Sequence, residues 1–272
     1  MNKEDFIIKA FLKGINGDDG AVLEKWCFSK DLFFENVHFK RTWLSLEQIA
    51  TKAMLVNISD AIVMNAVPKY ALLGLALPNL CESEICELQN GFLKTARRFG
   101  VKIIGGDTIE NDKIDISITL ISALRKKAVF RKGLKKGNLL AFTGELGQSL
   151  KGLEILQNGG FLKQNHRFIK PNLRQKFFYE IADKISCAMD ISDGLSKDLS
   201  RLLSVNKLGI KWLLKLSEKE LFSGEEYEIL FGFKEKNLEF IKTCAKKHRV
   251  KLNIFGVAEN GKYEFSGREH HF

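Results

Sequence analysis

Five short stretches set aspartates beside glycine, serine or asparagine: Gly17-Asp18-Asp19, Ser29-Lys30-Asp31, Asn57-Ile58-Ser59-Asp60, Gly105-Gly106-Asp107-Thr108 and Asp190-Ile191-Ser192-Asp193-Gly194. One aspartate beside a glycine is ordinary turn and helix-cap chemistry. Five that follow apolar strands or sit in an apolar helix are a different matter, because an unpaired carboxylate is costly in apolar surroundings. A hard divalent cation meets that cost: Mg2+ takes oxygen ligands, keeps part of its water shell and bridges carboxylates to phosphate. No histidine or cysteine set has zinc spacing. Asn57 and Asp60, three residues apart, share a helical face that serves either a cation or an anchoring hydrogen bond to a neighbouring element. Gly105-Gly106-Asp107, read as a turn after a strand over 101–104, offers backbone N–H groups to a phosphate. No GxxxxGK[ST] loop, GxGxxG or protein-kinase signature occurs.

The elements that must hold these residues follow from the apolar pattern. Residues 46–65 carry Ile49, Ala53, Val56 and Ile62 at helical spacing. Strands are expected over 21–28, 31–39, 70–77, 101–104 and 114–124, with a second helix over 82–99. A basic, glycine-punctuated segment over 125–138 precedes a second half. There the pattern gives strands over 139–143, 187–191, 208–214, 227–233 and 252–257, and a last one near Tyr263. Helices are expected over 147–157, 173–184, 195–204 and 236–248. Strands alternating with helices in both halves predict an α/β (α+β) protein of two α/β domains, residues 1–126 and 127–272. Residues 1–12 mix charges with apolar side chains and read as an amphipathic helix rather than a signal peptide.

Composition narrows the class. The chain has 272 residues, 45% hydrophobic and 28% charged, enough to bury a core without staples. No apolar run approaches the ~20 residues that span a bilayer, so a soluble, cytoplasmic chain is expected, without a membrane partner. The net charge of +10 invites a nucleic-acid reading, but lysine outnumbers arginine 33 to 10 and is scattered. A solvated surface or a polyphosphate ligand fits better. The five cysteines are odd in number and include no CxxC pair, which favours reduced thiols over a disulfide framework.

Taken in order, Gly17-Asp18-Asp19, Val37-His38-Phe39, Val56-Asn57-Ile58-Ser59-Asp60, Gly105-Gly106-Asp107-Thr108, Met189-Asp190-Ile191-Ser192-Asp193-Gly194-Leu195 and Gly224-Glu225-Glu226-Tyr227-Glu228 resemble the pattern of the thiamine-monophosphate kinases. These belong to a wider family that includes aminoimidazole ribonucleotide synthetase. The resemblance implies an N-terminal sheet that forms a barrel in a homodimer and a C-terminal mixed-sheet sandwich. It also implies transfer of the ATP γ-phosphoryl group to thiamine monophosphate, with several Mg2+ ions. By the resemblance, Asp19, Ser29, Lys30 (through its backbone), Asp31, Asp60, Asp107, Asp190 and Asp193 serve the metals. Gly106, Asp107, Arg131 and Ser192 contact ATP; His38, Glu225 and Phe272 hold the thiamine end. The sequence departs from the pattern at Glu226, where aspartate is usual, at Lys30, where a small hydroxyl residue is common, and in a shortened stretch over 216–223. Two alternatives stand beside this reading: another ATP-using enzyme of the wider family, and a basic nucleic-acid-binding protein.

Overall fold

The structure is a computed structural model that describes residues 17–265 and 267. The helix expected over 1–12 and the terminal Phe272 lie outside the described residues. The first half forms a five-stranded sheet in the order β1-β2-β5-β3-β4: β1 (Ala21–Leu23), β2 (Trp26–Phe34), β3 (Ala66–Leu77), β4 (Lys102–Glu110) and β5 (Asp115–Leu124). Every pairing in it is antiparallel except β3 with β4. Alternation decides which face is covered. Ile116, Ile118 and Leu120 of β5 are buried, as are Cys27, Ser29 and Phe33 of β2, so Asp31 belongs to the covered face.

Helix α1 (Leu46–Val63) lies against that face and reaches β7 of the second sheet as well. Ser45 and Gln48 start it with a reciprocal capping box. Of its 18 residues, 14 are buried, and the chemistry-bearing Lys52, Asn57, Ser59 and Asp60 are all carried on it. Helix α2 (Glu82–Phe99) covers α1 from outside and buries only one stripe, Leu88, Phe92 and Ala96 among it. The two helices touch at Gly91, where a Cβ would stand 2.3 Å from the Glu47 carbonyl oxygen.

The second half forms a sheet in the order β7-β9-β6-β10-β8: β6 (Leu139–Thr143), β7 (Ile185–Asp190), β8 (Gly209–Trp212), β9 (Ile229–Phe233) and β10 (Leu252–Glu259). Its helices are α3 (Gln148–Gln157), α4 (Gln175–Ile181), α5 (Leu195–Asn206), α6 (Glu218–Phe222) and α7 (Leu238–Lys247). One face packs Leu140, Phe142, Leu230 and Phe255 against Leu195, Leu199, Leu202 and Leu203 of α5. Residues of the other face, Ala141, Phe231 and Phe233, join the larger core, which runs without a break into Ile58, Ile62 and Ile118 of the first half.

The α/β layering is as expected, and several details differ. The strands expected over 21–28 and 31–39 are β1 and β2 instead, so Ser29-Lys30-Asp31 lies within β2. The pairings of the second sheet are all antiparallel, where a mixed sheet was expected. Its helical connections return the chain to non-adjacent strands, as β6 and β7 stand on either side of β9. Strand β4 does not stop at residue 104 but runs through Gly105-Gly106-Asp107. These glycines are therefore not a phosphate-cradling turn. Gly106 is glycine because a Cβ there would lie 1.7 Å from the Leu73 carbonyl oxygen on β3. Tyr263 sits in irregular chain, not in a strand, held by its hydroxyl at 2.7 Å from Ser196 Oγ. The short stretch over 216–223 contains α6, opened by a Ser217–Glu220 capping box. Among the described residues no helix is long and apolar enough to cross a membrane.

Candidate active site

Where the two sheets meet, a cavity of about 310 Å3 is lined by carboxylates drawn from both halves of the chain. Asp19 comes from the turn before β1, Asp31 from β2, Asp60 from the last turn of α1 and Asp190 from the end of β7. One carboxylate oxygen each from Asp19, Asp60 and Asp190 lies within 4.8 Å of the others. The supports are local. The Asn57 side-chain oxygen accepts from the Asp31 N–H at 3.1 Å, which ties β2 to α1, and Ser59 donates to Asp190 Oδ2 at 2.7 Å. Asn57 is thus the anchor and Asp60 the ligand candidate of the pair that shares a helical face.

Burial and mutual repulsion make these aspartates hard to ionise. Burial first, then the nearby Asp19 charge, raises Asp31 from 3.8 to about 6 despite a hydrogen bond with Asp60. Asp60 and Asp190 are pushed well above the usual range by burial and then by neighbouring carboxylates. Arg131 answers part of the charge, its guanidinium 2.5 Å from Asp19 Oδ1, and Asp18 Oδ1 accepts from the Arg131 backbone N–H at 2.6 Å. Asp19 Oδ2 remains buried without a hydrogen-bond partner. Converging carboxylates with one orphaned oxygen have the chemistry to hold a hard divalent cation.

The loop after β7 forms the opposite wall. Asp198 Oδ2 accepts from the N–H groups of Ser192 and Asp193 at 3.1 Å each, and burial raises Asp198 to about 7. Ser192 and Asp193 both line the cavity, but the Asp193 carboxylate is paired with Arg201 and stands 3.6 Å from the Lys197 ammonium. Residues 224–228 close over this loop, with Glu225 N–H donating to Ser192 O at 2.7 Å and Tyr227 N–H to Ile191 O at 2.8 Å. His38 and Glu225 line the same cavity as the aspartates.

The other expected site residues are divided between this cavity and the rest of the molecule. The Ser29 hydroxyl is buried without a partner and does not line the cavity. Lys30 does line it, while its ammonium rests on Ser117 Oγ at 2.5 Å. Gly106 and Asp107 are exposed on edge strand β4, and Asp107 lines a separate hollow of about 200 Å3 with Asp115 and Ser117. Glu226 turns away from the cavity. Its Oε1 accepts from Gly147 N–H at 2.8 Å, Ser149 N–H at 2.9 Å and the Ser223 hydroxyl, so its extra methylene serves the start of α3 rather than the site. Sequence reasoning missed Lys52 and Arg201, and gave no part to Asp18 and Tyr227 although both stand in motifs it singled out. Lys52 had a signal, a charge inside an apolar helical repeat, the same one that singles out Asp60.

Comparison with known proteins places the whole chain rather than these residues. The family model described as AIR synthase related protein, N-terminal domain, matches residues 17–124. The chain is 31% identical to the thiamine-monophosphate kinase of Bacillus subtilis, covering 90% of this chain and 86% of that one. It is 30% identical to that of Buchnera aphidicola from Schizaphis graminum, covering 92% and 86%. Among solved structures it superposes on AaThiL complexed with AMPPCP and TMP with a TM-score of 0.83 at 27% identity, over 96% of this chain and 91% of that one. The thiamine monophosphate kinase of Aquifex aeolicus gives 0.82 at 27% identity, over 95% and 92%. Identity of 30% or more over nearly the whole length, together with a shared fold, leads to one conclusion: the chain belongs to the thiamine-monophosphate kinase family.

Proposed function

We propose that the protein transfers the γ-phosphoryl group of ATP directly to the phosphate of thiamine monophosphate, forming thiamine diphosphate. The observation that carries this is the meeting of Asp19, Asp60 and Asp190, beside Arg131, in a cavity that also holds His38 and Glu225. The acceptor is already an anionic phosphate, so no side chain has to deprotonate it. The task is to hold two repelling anions in line and neutralise the charge that develops between them.

Asp19, Asp31, Asp60 and Asp190 would hold Mg2+, which when bound supplies that neutralising charge. Asp19 orients Arg131, whose guanidinium is placed to donate charge-assisted hydrogen bonds to a phosphate. Ser192 is held at the cavity wall by Asp198 for the nucleotide. His38 and Glu225 receive the thiamine end. Gly106 and Asp107 lie outside this cavity, so their part in ATP binding requires a second copy of the chain. The open face of the first sheet, with Leu32, Leu72 and Ile104 exposed, is the surface through which we propose the copies pair. The same reading divides the chain near residue 126 and places it in the cytoplasm.

Measuring ADP release with a panel of phosphate acceptors tests the reading. Release should require thiamine monophosphate and Mg2+, and should leave no phosphate on the protein. Equal release with every acceptor, or none with thiamine monophosphate, would overturn it.

A further inference from the structure

We infer that Lys52 is a positioning residue for the acceptor, fixing one oxygen of Glu225 so that the other is presented to an N–H donor or cationic ring. The inference rests on the function proposed above and extends it to a residue with no assigned part in the site. Lys52 is a wholly buried lysine in the middle of α1. Its ammonium lies 2.9 Å from Glu225 Oε2, 3.8 Å from the centre of the Phe168 ring and 5.8 Å from that of Phe33.

Stability is a poor reason for such a residue. A buried ion pair is often no better for the fold than apolar side chains of the same volume. The geometry around Glu225 supplies a better one. Glu225 has a φ of 54°, in the left-handed region, a strain that persists where surrounding contacts over-determine the backbone. Its N–H is tied to Ser192 O and its Oε2 to Lys52. Its Oε1 is buried and accepts from nothing, although Glu225 lines the cavity. One oxygen is anchored and the other is kept for an incoming donor. The aminopyrimidine and thiazolium of thiamine supply such a donor and such a cation. The ammonium also faces Phe33, whose ring centre is 5.4 Å from that of His38, while His38 Nδ1 accepts from the Phe34 N–H at 3.0 Å.

The test is steady-state kinetics on Lys52→Met, Lys52→Gln, Glu225→Gln and the double variant Lys52→Met/Glu225→Gln, each checked by thermal melting. For Lys52→Met the KM for thiamine monophosphate should rise about tenfold, the change that ~1.4 kcal/mol makes, while the KM for ATP stays within about twofold. Lys52→Gln, which keeps a donor and most of the stem, should show the same split and carries the test if the Met variant does not fold. The double variant should be no worse than Glu225→Gln alone, because both changes disable one device. Fully additive effects, equal rises in both KM values, or no change in either would remove Lys52 from this role while leaving the proposed function standing. A wild-type protein inactive toward thiamine monophosphate would take both down together.

Discussion

Two groups of buried carboxylates sit in this molecule, and they are built on opposite terms. In the second half, Glu228 is wholly buried and satisfied. Arg174 grips both its oxygens at 2.9 and 2.6 Å, Arg167 pairs with one of them, and Thr143 donates at 2.6 Å. At the junction of the sheets, Asp19, Asp60 and Asp190 crowd together, with Arg131 on the first of them and an oxygen left unpartnered. Both groups are carboxylates held away from water. The first is complete within the chain and holds the fold; the second leaves a carboxylate oxygen unpartnered, where the proposed cation would sit. The source of the counter-charge, rather than burial itself, sets the two groups apart.

The largest effect that would break this contrast comes from the incomplete group. Asp60→Asn or Asp190→Asn should lower turnover by about 10³-fold, the scale of losing preorganised charge at a transferring group. The same variants should melt higher than wild type in EDTA, because a repelling charge is gone. Turnover near wild type at limiting Mg2+, or a lower melting temperature without metal, would erase the distinction. Glu228→Ala should do the reverse. Leaving Arg167 and Arg174 unpaired should cost about 3 kcal/mol of stability, read by urea unfolding, with activity lost only in proportion to the folded fraction.

A smaller effect sharpens the contrast through pH. Asp31 and Asp198 titrate near 6 and 7 in the folded chain, above the unfolded value of 3.8. The folded state therefore binds more protons than the unfolded state between about pH 4 and 7, and the stability these groups contribute at low pH is lost as pH rises through 6 to 7. Without metal, the melting temperature should climb from pH 8 to pH 5.5, and saturating Mg2+ should flatten that slope. Glu180 works in the opposite sense. Its hydrogen bonds to His248 and Lys247 lower it to about 2, so its contribution is lost only as pH falls toward that value. A metal-free protein whose stability rises steadily toward pH 8 would contradict the repulsion. The smallest effect is expected at Glu226, where Glu226→Ala should cost about 1 kcal/mol, the usual scale for a lost helix cap, and leave kcat near wild type.

Much of this was legible in the sequence because it is written in short spans. The strand–helix order came from local periodicity, and the acidic motifs stood out because each breaks an apolar pattern within a few residues. What stayed hidden depends on partners far along the chain or on choices local patterns leave open. Glu228 reads as one more motif acid until Thr143, 85 positions away, and two arginines are brought to it. Lys52 meets Glu225 across 173 positions. Gly105-Gly106 reads as a turn, since glycine marks turns more often than strands, yet here it permits a close approach between parallel strands. The antiparallel direction of the second sheet was equally invisible, because alternation of strand and helix does not record which strands become neighbours.

Helix α1 has a consequence for how this protein can change over time. An ordinary surface helix, such as α2, spends most of its positions on water and can drift there freely. With 14 of its 18 residues buried and contacts to both sheets, α1 has almost no such free positions. A scan of all single substitutions should therefore find α1 uniformly intolerant and α2 tolerant along its outer stripe. Inheritance along this segment should be close to all-or-nothing, so that new specificities arise in the loops around the cavity while the axle beneath them stays fixed.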